Sequence, residues 1–359
     1  MENKKKMLYI MGIDWEWIYQ RPQIFADKFS QDYEVTVVYP RSILKFNGKK
    51  DPIKKDKIKK KILWTFPFQE KNLLISCCTV FFQQRVFKDY KKYDYIFIGY
   101  PLYERYVPDD YKGIIIYDCM DFHEALYPDR KRVKRILWQE RKLAERCDIL
   151  FASSIFLVEK MNQLVGKRKA RLVRNGVGAK EVCQVCGSQV RDRYKIGYIG
   201  TIAEWFDYEL LCKSLKRNQR IVYHLVGPND VEIPSQPNGI ISEGVVPHQD
   251  LYNSVKMYDC LIMPFKINDI VLAVDPVKLY EYIAFGKCII SVFYPEIERF
   301  EDFVYFYHSD EEYFALLEKL CCLGFPPKYD SKKQNEFLRL NSWEIRYQQI
   351  RDNIEQYDS

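Results

Sequence analysis

A chain of 359 residues, 47% hydrophobic and 29% charged, is long enough for two ordinary cores and too apolar to be disordered. No segment reaches the ~18 apolar residues of a membrane-spanning helix. The short apolar run after the basic start ends at Asp14 with no small-residue cleavage site, so it reads as a first strand rather than a signal peptide. The formal net charge of +7 is concentrated between Lys45 and Lys61, where nine lysines face two aspartates. That run reads either as a solvated loop or as a surface that meets anionic lipid. It has no interleaved aromatics and no recognisable reader motif, which argues against nucleic acid. Eleven cysteines, several within apolar runs, suit buried free thiols in a reducing compartment, and hence a cytoplasmic protein open to peripheral contact with the inner membrane face. Cys183 and Cys186 form a CxxC without two further ligands nearby, so a loop is expected there and no metal.

Short apolar runs alternate with longer amphipathic stretches, the pattern of βαβ units around parallel sheets. In the first half strands are expected at 7–12, 34–39, 62–66, 93–98, 113–117, 148–152 and 170–173, with helices at 19–29 and 130–146. In the second half strands are expected at 195–199, 221–226, 259–263, 288–293 and 303–307. Helices there fall at 208–216, 249–256, 276–285 and 311–323. The result is an α/β chain of two Rossmann-like domains. The first covers 1–175 and is completed by an amphipathic C-terminal helix at 342–359. A Gly-rich and basic linker spans 176–193, and the second domain covers 194–341. Two doubly wound domains of this kind are expected to face a central cleft with their strand ends.

The most informative segment runs from Asp275 through Pro276, Val277, Lys278, Leu279, Tyr280 and Glu281 to Gly286. Asp275 suits an N-cap, Pro276 the first helical position, and Gly286 the stop, which gives a helix of about three turns. It is apolar almost all round, so Lys278 and Glu281, three apart on one face, need partners. They can pair with each other. Alternatively the helix N-terminus and Lys278 can hold a diphosphate while Glu281 accepts hydrogen bonds from a ribose diol.

This segment resembles the nucleotide-sugar signature of GT-B glycosyltransferases of the retaining family 4, or group 1, type. Other pieces resemble that family in the same order: Trp17-Ile-Tyr-Gln-Arg-Pro-Gln23, Tyr117-Asp-Cys-Met-Asp-Phe-His123, Arg174-Asn-Gly-Val177, Gly197-Tyr-Ile-Gly-Thr201, His224-Leu-Val-Gly-Pro228 and Gly244-Val-Val-Pro247. Together they cover nearly the whole chain and are most similar to teichuronic-acid and capsule polysaccharide transferases. The resemblance implies a donor site of Gly200, Thr201, Gly227, Val246, Asp275, Val277, Lys278, Leu279 and Glu281. On the N-terminal side it implies that Gly12, Arg21, Asp121 and His123 face the sugar and acceptor. Asp121, His123 and Lys278 would carry the catalysis. A retaining reaction needs no strong general base, so Asp121 and His123 would bind rather than take a proton. Arg21 is open to two readings, an acceptor-phosphate ligand or a cap of its own helix. Glu204, Trp205 and Asp207 lie close enough in sequence to Thr201 to touch the donor.

The implied reaction moves a sugar from a nucleotide diphosphate, UDP first among the candidates, to a hydroxyl of a glycan or lipid-linked acceptor. Fixed dipoles and Lys278 would stabilise the leaving diphosphate without a metal or cofactor, and no Asp-x-Asp pair is present. Closure of the two domains would exclude water. Two positions depart from the family pattern. Ala273 stands where many members carry a second Glu, and 202–207 lacks the basic pair that often follows the Gly-rich turn. A UDP-sugar 2-epimerase and a non-catalytic scaffold that binds nucleotide-sugar or membrane stay open as alternatives.

Overall fold

A computed structural model describes residues 4–44, 58–67, 73–178, 182–185, 187–231, 238–246 and 248–358. The chain divides into two compact units, Met1–Arg174 with Tyr347–Ser359, and Asn175–Arg346.

The first unit contains a seven-stranded sheet, β1 Lys6–Ile10, β2 Glu34–Ser42, β3 Lys59–Thr65, β4 Tyr95–Ile98, β5 Ile114–Cys119, β6 Ile149–Ala152 and β7 Ala170–Leu172. All its pairings are parallel and the order is β3-β2-β1-β4-β5-β6-β7. Strands β4, Tyr-Ile-Phe-Ile, and β6, Ile-Leu-Phe-Ala, are unbroken buried apolar runs, as a sheet covered on both faces requires. The helices are α1 Arg21–Asp32, α2 Leu73–Gln84, α3 His123–Leu126, α4 Arg130–Arg146 and α5 Ile155–Val165.

The second unit has six parallel strands, β8 Tyr194–Ile199, β9 Ile221–Val226, β10 Ile240–Gly244, β11 Cys260–Met263, β12 Cys288–Val292 and β13 Tyr305–Tyr307, in the order β10-β9-β8-β11-β12-β13. Its helices are α6 Tyr208–Arg217, α7 His248–Val255, α8 Asp269–Leu272, α9 Val277–Ala284, α10 Asp310–Leu323 and α11 Ser331–Leu340. The last helix, α12 Trp343–Asp358, starts in this unit and ends in the first. In the first unit it is held by Tyr347 against Phe29, by Tyr95 Oη donating to Asp358 at 2.7 Å, and by Tyr357 Oη donating to Asp148 at 2.9 Å. The division into units falls after Arg174, so the described residues of 176–193 group with the second unit.

In each sheet the strand order reverses once, between β1 and β4 and between β8 and β11. At such a point the loops leaving the carboxyl ends of the two strands diverge and leave a crevice, the general place for ligands in doubly wound sheets. Of the lysine run, residues 45–57 lie outside the described residues. Lys59–Lys61 are not loop but the start of β3, the edge strand paired with β2. Cys183 is buried and Cys186 lies outside the described residues. No described helix is long and apolar enough to cross a membrane. No group of His, Cys, Asp and Glu with metal-ligand geometry occurs among the described residues.

Candidate functional site

At the reversal point of the second sheet, three chain segments are drawn together by main-chain bonds. Gly200 N donates to Val226 O at 2.8 Å, Gly227 N to Gly244 O at 2.8 Å, and Ile202 N to Pro228 O at 2.9 Å. The turns after β8, β9 and β10 therefore form one surface. Gly200 and Gly227 both have φ +143°, which only glycine adopts readily. They also pack too closely for any side chain. A Cβ on Gly227 would sit 2.1 Å from Gly200 O.

Helix α9 is anchored beneath this surface. The Tyr282 hydroxyl accepts from Ile199 N at 2.9 Å and lies 3.3 Å from Ile262 O, bridging the ends of β8 and β11. Leu279 and Ile283 fill the core below. Lys278 leans over the turn. A Cβ on Gly200 would meet its Cε at 2.1 Å and its Nζ at 2.7 Å. The Nζ is 5.9 Å from the rings of both Tyr198 and Phe265. No carboxylate forms an ion pair with Lys278 among the described residues. Burial pushes its pKa below the ordinary lysine value, while Glu281 pulls it back up. Glu281, half-buried one turn further on, shares the face of Lys278. Thr201 is half-buried beside the turn, its carbonyl accepting from Tyr198 Oη at 2.8 Å. Val246 is half-buried after β10.

Other expected donor residues lie elsewhere. Asp275 is not the N-cap of α9. Pro276 occupies that position, and the helix is two turns long, from Val277. The Asp275 carboxylate, 2% exposed, is a clasp. It accepts from Asn175 N at 2.6 Å and Tyr280 Oη at 2.9 Å, and it pairs with Arg299. Its cap was claimed by a buried ionic cluster that sequence proximity does not show. The Leu279 side chain is in the core, so only its main chain faces the helix start. Asp207 caps α6 by accepting from Leu210 N at 3.0 Å, Trp205 packs on the core, and Glu204 is exposed. Ala273, 1% exposed, closes α8. Two positioning residues were invisible in the sequence, Tyr282 and Arg299. Both read as ordinary core or surface residues until the strand ends and Asp275 are placed beside them. A separate groove of about 520 Å³ between α6 and α10, lined by Arg217, Phe314 and Cys321, opens at the amino end of β9, away from the glycine turn.

The first unit has its own crevice at the ends of β1, β4 and β5. Gly12 follows β1 and packs against Tyr100, whose Cβ would lie 2.9 Å from a Cβ on Gly12. Tyr100 in turn meets His123 edge-on, with ring centroids 5.3 Å apart. His123 is 3% exposed and its Nδ1 has no hydrogen-bond partner. Burial lowers its pKa against the opposing pull of Asp121, so the ring is neutral at pH 7. Asp121 is exposed in the loop after β5. Arg21 is neither a cap nor open to an acceptor phosphate. Its Nε and Nη2 donate to Asp118 at 2.9 and 2.7 Å, and its Nη1 donates to Val173 O and Arg174 O at 2.9 and 3.1 Å. It latches the start of α1 to β5 and to the end of the unit.

Two Rossmann-like units, each with a parallel and singly reversed sheet, are the architecture of the GT-B fold. No family model matches the chain. It is 26% identical over 281 residues, 71% of this chain and 70% of the relative, to the "Putative teichuronic acid biosynthesis glycosyltransferase TuaH" of Bacillus subtilis (strain 168). Among solved structures it resembles the lipopolysaccharide outer core galactosyltransferase WaaB, with a TM-score of 0.66 at 13% identity, covering 98% of this chain and 99% of that one. It equally resembles a TarM variant of S. aureus solved with fondaparinux, α-GlcNAc-glycerol and UDP, with a TM-score of 0.66 at 9% identity, covering 99% and 100%. The Bacillus relative thus carries a glycosyltransferase name and WaaB a galactosyltransferase one.

Proposed function

We propose that this chain is a glycosyltransferase that moves a sugar from a nucleoside diphosphate, UDP, to a hydroxyl of a bacterial surface glycan. The observation that carries the reading is the placement of Lys278. It is a half-buried cation with no ion-pair partner among the described residues, held over a turn that two glycines keep free of side chains, beside the start of α9. A diphosphate supplies the charge that Lys278 lacks, and the dipole at the start of α9 reinforces it. Glu281, on the same helix face one turn deeper, is placed to accept from a ribose diol. The Bacillus relative carries a polysaccharide biosynthesis name, and the TarM neighbour was solved with UDP and a GlcNAc derivative, which supports the donor class and the glycan acceptor.

In this reading the developing negative charge on the departing diphosphate is met by Lys278 and the helix dipole, so the residues themselves supply the electrostatics of leaving-group departure without a metal. The acceptor edge is assigned to Gly12, Asp121 and His123. A neutral His123 with a vacant Nδ1 binds a hydroxyl rather than acting as a strong base, which suits retention of configuration. Val277, Thr201, Gly227 and Val246 are assigned to the donor, and Arg21, Asp275 and the Leu279 side chain are given structural roles.

Incubation with a panel of nucleotide-sugars, with product analysis, tests this. Transfer or slow hydrolysis with release of UDP supports it. Conversion of the sugar to its C2 epimer with release of UDP would mark an epimerase instead. Neither binding nor turnover with any donor would overturn the enzyme reading.

A further inference from the structure

Helix α2 of the first unit is packed inside out. Its sequence, Leu-Leu-Ile-Ser-Cys-Cys-Thr-Val-Phe-Phe-Gln-Gln, has no charge. Yet its polar residues Thr79 and Gln83 are the buried ones, at 4% and 5% exposure. Gln83 Nε2 donates to Trp64 O at 2.9 Å, and its Oε1 accepts from Tyr106. Leu74, Phe81 and Phe82 face outward, 78%, 54% and 50% exposed, with Cys77 and Cys78 between them. A helix that buries Thr79 and Gln83 and exposes its phenyl rings has its apolar face unmatched by water.

The cover for that face is indicated by its neighbours. Arg85 stacks its guanidinium 4.6 Å from the Phe81 ring, placing a cation at the rim. The 3-10 turn Pro101–Tyr106 links α2 to α4. Tyr106 bonds Gln83 on one side, and Glu104 on the other side pairs with Arg146 at 3.1 Å and Lys142 at 3.4 Å. The exposed side of α4 carries Lys131, Lys134, Arg135, Arg141 and Lys142 around Trp138, which is 60% exposed. Of the two acids in α4, Glu140 is buried against Lys160, which leaves Glu145 alone on the surface. A second copy of the chain packed symmetrically on this face would oppose cation to cation. An anionic bilayer complements both parts, because its phosphates match α4 and its acyl boundary accepts the phenyl rings of α2.

We propose that the α2 and α4 face of the first unit docks on an anionic phospholipid bilayer, with Leu74, Phe81 and Phe82 entering the acyl boundary. The proposal rests on neither residues 45–57 nor the glycosyltransferase reading. It is tested by co-sedimentation of the full chain with phosphatidylglycerol-containing vesicles and with pure phosphatidylcholine vesicles. Binding should require the anionic lipid and weaken as salt rises. Lys134→Gln and Arg135→Gln should each lower partitioning roughly five-fold, and Phe81→Ser with Phe82→Ser by tens of fold. In the unmutated chain, vesicles should shield Cys77 and Cys78 from a water-soluble maleimide while Cys322, exposed in the second unit, stays reactive. Equal binding to neutral lipid, unchanged labelling of Cys77 and Cys78, or a lipid-independent dimer abolished by Phe81→Ser would overturn it.

Discussion

The two crevices answer a buried cation in opposite ways. In the first unit Arg21 is fully engaged, with a bidentate pair to Asp118 and two main-chain carbonyls. In the second unit Lys278 has no such partner among the described residues, and burial depresses its pKa. On the proposed reading, the difference separates a charge retained for structure from a charge held ready for a ligand. A buried cation whose donors are taken up by a carboxylate and two carbonyls has little left to offer a substrate. One that is partly desolvated and unpaired is costly to the fold, and the cost is recovered when an anion binds.

Breaking the satisfied pair should have the largest effect. Arg21→Ala leaves Asp118 buried and uncompensated, and should cost about 3–5 kcal/mol in denaturant unfolding of the first unit. The paired change Arg21→Met with Asp118→Leu should cost far less. Equal losses in the single and double variants would contradict the latch.

The two glycine positions sharpen the contrast next. Gly200→Ala forces a side chain into φ +143° and onto Lys278, so a loss on the order of 1–3 kcal/mol is expected, together with loss of any thermal response to UDP. Gly12→Ala has an ordinary φ and meets only the Tyr100 side chain at 2.9 Å, so its melting temperature should fall less. If Gly12→Ala proved the more damaging, the close approach at Gly200 would be misjudged.

Lys278→Met should act against intuition by raising the melting temperature at neutral pH, by roughly 2–4 °C for each ~1 kcal/mol recovered. The folded pKa of Lys278 lies below its ordinary value of 10.5, so the folded state binds fewer protons than the unfolded one over the interval between them. Wild-type stability therefore gains as pH rises through that interval, and its deficit against Lys278→Met should narrow. A deficit that widened with pH would mean that Lys278 is stabilised by a partner. The smallest effect expected is at His123. Its pKa is held below 6.5, so stability falls as pH drops through that value, and His123→Phe should flatten this acid-side slope in a melting-temperature series.

Much of this contrast was legible in the sequence, and the missing part has physical causes. Buried parallel strands are continuous apolar runs, so nearly every strand was placed within a residue or two. β10 was not, because Ile240–Gly244 is an edge strand that alternates in burial and carries little apolar signal. Helix α4 ends where its charge pattern ends, whereas α2 gave no amphipathic period because its outward face is apolar. That Lys278 and Glu281 share one face of a buried helix was legible from their spacing of three. Arg21 and Asp275 were misjudged because their partners are 97 and 100 residues away, Asp118 and Asn175, and no local pattern announces a long-range clasp.

The central claim, that the α9 turn is a nucleoside-diphosphate site, is tested most directly by thermal unfolding with and without saturating UDP. Specific binding stabilises the folded state by mass action. UDP should raise the melting temperature of the wild type, uridine should do so little, and Glu281→Ala and Lys278→Met should each abolish the shift. A full UDP shift that persists in both variants would place the donor elsewhere on the molecule.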